Sequence, residues 1–148
     1  LLYAVMREGM EMASASQQRA LQAVAGMDAR TQMRALVRHH FEILLGPRSG
    51  FIPVMLYEWR SLTAAQRKGV SQIKDAYEAA WMPALDALAR QGALHAEPAI
   101  ARLFIFGALN WAVKWFDRRG TRTLDQLTED ALALFFGGAA ASIPSHSP

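Results

Sequence analysis

The stretch AIARLFIFGALNWAVKWF, residues 99–116, is strongly apolar and decides how the chain folds. Fourteen of its eighteen residues are apolar, and Pro98 before it suits the first turn of a helix, where the N–H that proline lacks would have no partner. At about 100° per residue, two faces of this helix are apolar. One face carries Phe104, Ala108, Trp111 and Trp115, and the other carries Ile105, Leu109, Ala112 and Phe116.

Both apolar faces of this helix must be shielded from water. We expect the core of the chain to cover one face and a second subunit to cover the other, so that the protein is a homodimer. The alternative is a central core helix without a partner, because a domain of about 150 residues can bury a helix completely.

The composition is that of one globular domain. The chain has 148 residues, of which 52% are apolar and 20% charged. Its sixteen Lys and Arg residues are spread out, so a nucleic-acid surface is not indicated. The absence of cysteine fits a cytoplasmic protein. The longest uncharged run in the apolar stretch, residues 103–113, is shorter than the roughly 20 residues of a membrane span, so we expect no membrane contact.

Helical spacing of apolar residues predicts an all-α chain of six helices. Asp28 is a good N-cap for the second helix. The motif T-x-x-Q, at Thr63 and again at Thr123, predicts capping boxes that begin the fourth and the sixth helix. Pro83 removes a backbone hydrogen bond within the fourth helix, which should therefore kink near Trp81.

Motifs for catalysis and metal binding are not found in the sequence. No Glu has a His three residues later, and the phosphate-binding, dinucleotide-binding and serine-nucleophile motifs are absent. His39 and His40 are adjacent, so they point about 100° apart on a helix and cannot share a metal by themselves. We therefore expect no enzyme activity, no metal and no cofactor.

Large aromatic residues on successive helices favour a binding site for a small hydrophobic molecule, because kinked helices that splay around them can leave a cavity. The alternative is that these side chains simply fill the core. The predicted ligand-binding residues are Phe41, Met55, Trp59, Tyr77, Trp81, Phe104, Asn110 and Trp111. At the mouth of such a pocket, a carboxylate, phosphate or coenzyme A head group could be bound by Arg38, Arg60, Arg102 or Lys114.

The last helix carries a narrow apolar stripe that suits a symmetric contact. A two-fold axis presents the same patch twice, so this stripe and the apolar stretch would form a four-helix interface with their copies. The predicted dimer-interface residues are Phe106, Leu109, Val113, Leu124, Leu127, Ala131, Leu134 and Phe135.

Two segments resemble the TetR family of transcriptional regulators. MPALDALARQGALHAEPAIARLFIFGALNWAVKWFD, residues 82–117, is similar to the family's C-terminal regulatory region, and TLDQLTEDALALFFGGA, residues 123–139, is similar to its final helix. The pattern G-A-L-N-W-x-x-x-W at residues 107–115 resembles the branch that senses lipid-like and acyl-CoA compounds.

The resemblance implies a six-helix effector-binding and dimerisation domain over residues 1–139, followed by a flexible tail over residues 140–148. It implies that the last two helices form the dimeric four-helix interface and that a small hydrophobic effector binds among the preceding helices. DNA would be bound only through the family's N-terminal helix-turn-helix domain. Because Leu1 already lies within a helical pattern, we expect that domain to be absent from this chain. The alternative is a stand-alone helical lipid-binding protein or a small enzyme.

Overall fold

The computed structural model describes residues 1–137, and every regular element within them is helical. Seven α-helices follow one another, with a short 3₁₀ turn, Trp59–Ser61, after the third. They are α1 (Leu2–Ala23), α2 (Ala29–Leu45), α3 (Phe51–Glu58), α4 (Ala64–Ala79), α5 (Met82–Arg90), α6 (Pro98–Trp115) and α7 (Leu124–Phe136). The all-α prediction is confirmed, and the predicted tail over residues 140–148 lies outside the described residues.

The predicted fourth helix is divided at Ala80 and Trp81, so that α4 and α5 are its two halves. Pro83 lies in the first turn of α5. A continuous helix would drive the proline ring into the carbonyl of Ala79, four residues earlier, and would leave that carbonyl without its donor. The break allows α4 and α5 to run in different directions. Because the predicted fourth helix is two helices in the structure, the six predicted helices correspond to seven.

The helix starts follow the predicted capping residues. Asp28 accepts a hydrogen bond from the backbone N–H of Thr31 at 2.8 Å. The capping boxes at Thr63 and Thr123 are both complete, because in each the glutamine three residues later also bonds back to the N-cap backbone. An N-cap of this kind contributes about 1 kcal/mol to helix stability.

Helix α2 lies at the centre of the fold, where it packs against α1, α5, α6 and α7. Helix α1 also packs along α4 and meets α3. Gly9 permits the contact with α3, because a Cβ at this position would lie 2.3 Å from Cγ of Phe51. The largest fully buried side chains between these helices include Met6, Met33, Leu36, Trp81, Leu85, Leu88, Ile105 and Leu132.

The two apolar faces of α6 have different environments. The face of Ile105, Leu109 and Ala112 is buried in the core of the chain. The opposite face is open to solvent, with Phe104 72% and Trp111 63% exposed. Residues 1–137 therefore cover only one of the two apolar faces.

Helix α7 docks on α2. Two ion pairs join them, Arg34 to Glu129 at 2.5 Å and Arg38 to Asp125 at 2.7 Å. The buried side of α7 consists of Leu127, Thr128, Ala131, Leu132 and Phe136. Leu134 points away and is 77% exposed.

This packing revises the residues predicted for the dimer interface. Phe106, Leu109, Leu127 and Ala131 are buried within their own chain, because helices α2 and α5 take up the sides of α6 and α7 on which they lie. Leu134 is exposed, and Val113, Leu124 and Phe135 are half-buried. Within residues 1–137, no helix combines the length and the hydropathy that a membrane crossing requires.

Candidate functional site

A cavity of about 430 Å³ lies between α1, α2, α3, α4 and α6. Helix α3 supplies one wall with Phe51, Ile52, Met55 and Leu56, and Trp59 follows directly after it. The remaining apolar lining comes from three other helices and consists of Met10, Ala13, Ile43, Leu44, Phe106 and Val113. A mostly apolar space of this size is typical of a binding site for a small molecule.

The polar lining of the cavity is dominated by a hydrogen-bonded group of three side chains. His40 Nδ1 lies 2.8 Å from the hydroxyl of Tyr77, and His40 Nε2 lies 2.7 Å from Oδ1 of Asn110. Helices α2, α4 and α6 each contribute one of the three residues. Since Asn110 Oδ1 can only accept, the Nε2 of His40 carries the proton, and Nδ1 accepts the hydrogen bond from Tyr77.

His40 is a neutral imidazole near neutral pH. Its ring is buried, and this burial lowers the pKa of His40 to about 4. The ring is packed edge-on against Phe106 and Trp81, with centroid distances of 5.1 and 5.8 Å. Burial also raises the pKa of Tyr77, which therefore keeps its proton.

The hydrogen bonds continue from this group to α1. The hydroxyl of Tyr77 lies 3.4 Å from Nδ1 of His39, whose Nε2 lies 2.6 Å from the hydroxyl of Ser16. Gln17, the next residue on α1, donates to the carbonyl of Tyr77 and accepts from the indole N–H of Trp81 at 2.7 Å. Polar contacts thus connect the cavity with the middle of α1.

The charged part of the lining is paired. The carboxylate of Glu78, on a buried residue of α4, lies 2.8 Å from the ammonium of Lys74 and 3.7 Å from the guanidinium of Arg102. The nearby Lys114 donates to the hydroxyl of Tyr57 at 3.2 Å, and its ammonium lies 5.3 Å from the centroid of that ring. This contact joins α3 to α6 beside the cavity residue Val113.

The structure brings together half of the predicted ligand-binding residues. Met55, Trp59, Tyr77 and Asn110 line the cavity. Phe41 and Trp81 are buried in the core without lining the cavity.

The remaining two predicted ligand-binding residues, Phe104 and Trp111, lie on the exposed face of α6, away from the cavity. Phe106 and Val113, assigned to the dimer interface from the sequence, face the cavity instead. The reason is the rotation of α6, which turns the face containing Ile105 and Leu109 toward the core. Phe104 and Phe106, like Trp111 and Val113, are two positions apart and lie on nearly opposite sides of α6, at about 100° per residue.

Sequence reasoning also missed His40 as a site residue, and the signal for it was present. His40 falls on the apolar stripe of α2, between Val37 and Leu44. A histidine on a buried stripe needs a polar partner, and Tyr77 and Asn110 were both predicted to point inward.

Of the predicted cations, Arg38 is paired with Asp125 and Glu42 and lies on the α7 side of α2.

A family profile and several solved structures match the chain. The profile of the family described as "Tetracyclin repressor-like, C-terminal domain" matches residues 26–139. The crystal structure of the superantigen PfiT is 32% identical in sequence, with a TM-score of 0.81, and the match covers 90% of this chain and 70% of that one. A comparison with curated proteins finds no match.

Two further solved structures share the fold at lower identity. AibR, in complex with isovaleryl coenzyme A and operator DNA, is 23% identical with a TM-score of 0.77, and the match covers 93% of this chain and 74% of that one. PfmR, a TetR-family transcriptional regulator from Thermus thermophilus, is 21% identical with a TM-score of 0.78 and the same coverage. The profile match spans most of the chain, and the helical fold agrees with it. The chain therefore belongs to the TetR family of transcriptional regulators, in which it corresponds to the C-terminal domain.

Proposed function

We propose that the chain is the effector-binding and dimerisation domain of a TetR-like transcriptional repressor, with a small hydrophobic effector of lipid-like or acyl-CoA-like character. The observation that carries this proposal is the cavity of about 430 Å³. Its lining is mostly apolar, with a few polar groups that can orient a ligand. The proposal assigns no catalytic role to the chain and places it in the cytoplasm, where its operator would be.

The volume suits the acyl part of such an effector, with a larger head group outside. AibR, which shares this fold, binds isovaleryl coenzyme A, and that complex supports an acyl-CoA effector here. Lys114 extends beyond the cavity lining, and its only described side-chain partner among residues 1–137 is the neutral hydroxyl of Tyr57. We assign to Lys114 the binding of a phosphate of the head group, because an ammonium without a carboxylate partner attracts such an anion.

The dimer is proposed to form through the open face of α6 and the exposed side of α7. Phe104, Trp111 and Trp115 are each more than half exposed, and together with Leu134 they make a large apolar surface for a single chain to leave in water. Trp115 and Leu127 line the same shallow groove between the end of α6 and α7. The end of α6 and the first half of α7 thus border one groove, and both helices are assigned to the proposed four-helix interface.

Binding is proposed to act on DNA through α1. Phe51 of α3 lines the cavity and also packs against Gly9 of α1, so it contacts both the site and α1. An effector that binds one arrangement of α3 and α1 more tightly than another shifts the population toward it. Operator recognition is assigned to a helix-turn-helix domain attached to α1, of the kind that the resemblance implies.

The test is native mass spectrometry combined with thermal unfolding, in the presence of isovaleryl coenzyme A, longer acyl-CoAs or free coenzyme A as a control. We expect a dimer whose melting temperature rises with at least one acyl-CoA and not with free coenzyme A. A monomer that no acyl-CoA stabilises would contradict the proposal. Tight lipid binding by a monomer would support a lipid-binding protein instead, and turnover would support an enzyme.

A further inference from the structure

Asn110 presents a hydrogen-bond donor to the cavity. Its Oδ1 accepts the hydrogen bond from His40 Nε2 at 2.7 Å, so the Nδ2 amide is the group that remains for a ligand. Asn110 belongs to the lining and is also exposed, which makes this donor accessible at the rim. An amide N–H binds an oxygen acceptor without adding a charge to the site.

The orientation of this donor is tied to the tautomer of His40. His40 is 6% exposed and is in contact with Tyr77, Phe106 and Trp81. With Oδ1 of Asn110 toward His40, the imidazole carries its proton on Nε2 and accepts at Nδ1 from the hydroxyl of Tyr77. The opposite orientation of the amide would require the other tautomer, with Nδ1 donating to Tyr77.

Within residues 1–137, the cavity lining itself holds no cation without a carboxylate partner. Among the residues that line it, Lys74 is the only one with a positive charge near neutral pH, and its ammonium is 2.8 Å from the carboxylate of Glu78. Arg102 approaches the same carboxylate at 3.7 Å. A carboxylate drawn into the apolar lining would lose its hydration, and the cation of that lining is already paired with Glu78, so its entry is unfavourable.

We infer that Asn110 selects an effector whose cavity-bound part is uncharged, an aliphatic chain that ends in a thioester, ester or amide carbonyl, and that the corresponding free carboxylic acid is excluded. The carbonyl oxygen accepts from Nδ2 of Asn110 while the chain contacts the apolar wall formed by Met55, Trp59 and Phe106. This inference rests on the proposed function, because it describes the chemistry of the effector at the same cavity.

The first test compares ligands on the unaltered chain by isothermal titration calorimetry. Short- and medium-chain acyl groups are supplied as N-acetylcysteamine thioesters, as methyl esters and as free acids. We expect the thioester and the ester of a suitable chain to bind about tenfold or more tightly than the acid of the same length. The two neutral forms distinguish a thioester-specific site from one that accepts any carbonyl.

The second test changes the donor itself. Asn110→Asp replaces the amide with a carboxylate that cannot donate, and Asn110→Leu removes all polarity at a similar size. We expect each variant to weaken thioester binding by about three- to tenfold. Gln72→Glu is the matched control, because it makes the same amide-to-acid change at an exposed position of α4 outside the lining, and it should bind as the unaltered chain does.

The outcomes separate the two proposals. If an acid binds as tightly as its ester, the inference is wrong and the effector-binding function stands. If both Asn110 variants keep the full affinity for the thioester, Asn110 is not the selecting residue and the inference is again wrong. If no acyl compound of any form binds, the proposed function fails, and the inference that rests on it fails too.

Discussion

The imidazole of His40 donates from Nε2 to the Oδ1 of Asn110 across 2.7 Å, although the two residues are 70 positions apart in the chain. This contact joins the central helix α2 to the exposed helix α6 at the cavity. The Nδ1 of His40 accepts a hydrogen bond from the hydroxyl of Tyr77 on α4. Three helices therefore meet at a neutral polar group inside an apolar lining, and several predictions depend on that group and on the faces of α6.

Acid should destabilise the fold through His40. The pKa of His40 is lowered to about 4 by burial, whereas in the unfolded chain it is about 6.5. Between these pH values the unfolded state binds more protons, so stability falls as the pH falls from 6.5 to 4. For His40 the loss is about 3 kcal/mol over this range, measured by urea unfolding at a series of pH values.

His40→Asn is the variant that tests this pH dependence. The polar groups around His40 are Tyr77 and Asn110, which are hydrogen-bonded to it, and its chain neighbour His39, whose pKa burial also lowers to about 4. Since both pKa values fall by a similar amount, the two histidines contribute comparably, and we expect His40→Asn to remove about half of the slope that they cause together. His95→Asn, at an exposed position, is the control. An unchanged slope in His40→Asn would show that other groups cause the acid sensitivity.

The open face of α6 and Leu134 should hold the dimer together. Leu134→Asp places a charge in the proposed interface and should dissociate the dimer, while the monomer keeps its helical content, because Leu134 is 77% exposed. Leu127→Asp should instead unfold the chain, because Leu127 is buried against its own core. Analytical ultracentrifugation and circular dichroism together distinguish the two effects. A dimer that survives Leu134→Asp would place the interface elsewhere.

An added methyl group at Gly9 should disturb the contact between α1 and α3 and lower the stability of the chain. A Cβ at Gly9 lies 2.3 Å from Cγ of Phe51, so Gly9→Ala should cost about 1–3 kcal/mol of unfolding free energy. Phe51→Ala removes Cγ and Cδ2, the two atoms nearest to the new methyl group, and in the double variant it should recover part of that loss. Chemical denaturation of both single variants and the double variant measures this coupling. Strictly additive changes would mean that the helices relax around the new methyl group.

Trp59 and Trp111 should affect different functions. Trp59 lines the cavity, so Trp59→Ala should weaken binding of an acyl-CoA that stabilises the unaltered chain, by about tenfold or more. Trp111 is on the outer face, so Trp111→Ala should leave that affinity unchanged and raise the dimer dissociation constant. Calorimetry and sedimentation measure the two quantities. The reverse result would exchange the roles of these two surfaces.

Much of the fold could be predicted because its signals are local. The capping boxes at Thr63 and Thr123 and the break caused by Pro83 depend on residues within a few positions of one another. The spacing along α6 also determined which residues share a face. Which face meets the core depends on the positions of α2 and α5, and no pattern within α6 contains that information. Because both faces are apolar, the sequence assigned Phe104 to the ligand site and Phe106 to the dimer interface. In the structure Phe104 is exposed and Phe106 lines the cavity.

The candidate site was less predictable because its contacts are distant in sequence. Tyr77 and Asn110 were both among the predicted ligand-binding residues, and both line the cavity. The partner that connects them, His40, is 37 residues before one and 70 before the other. The apolar stripe of α2 indicates that His40 is buried and needs a hydrogen-bond partner, but the stripe does not identify that partner. The ion pair of Lys74 and Glu78 is by contrast local, since the two residues are four positions apart on α4, and only its place beside the cavity depends on the packing of the helices.

The four tryptophans of the chain occupy three kinds of environment. Trp81 is fully buried, Trp59 borders the cavity, and Trp111 and Trp115 are on the outer face of α6. The intrinsic fluorescence of the protein therefore contains separate reporters of unfolding, of ligand entry into the proposed binding cavity and of pairing through the proposed dimer surface. Chains that keep one tryptophan at a time, with phenylalanine at the other positions, would allow each of these events to be followed optically without an attached dye.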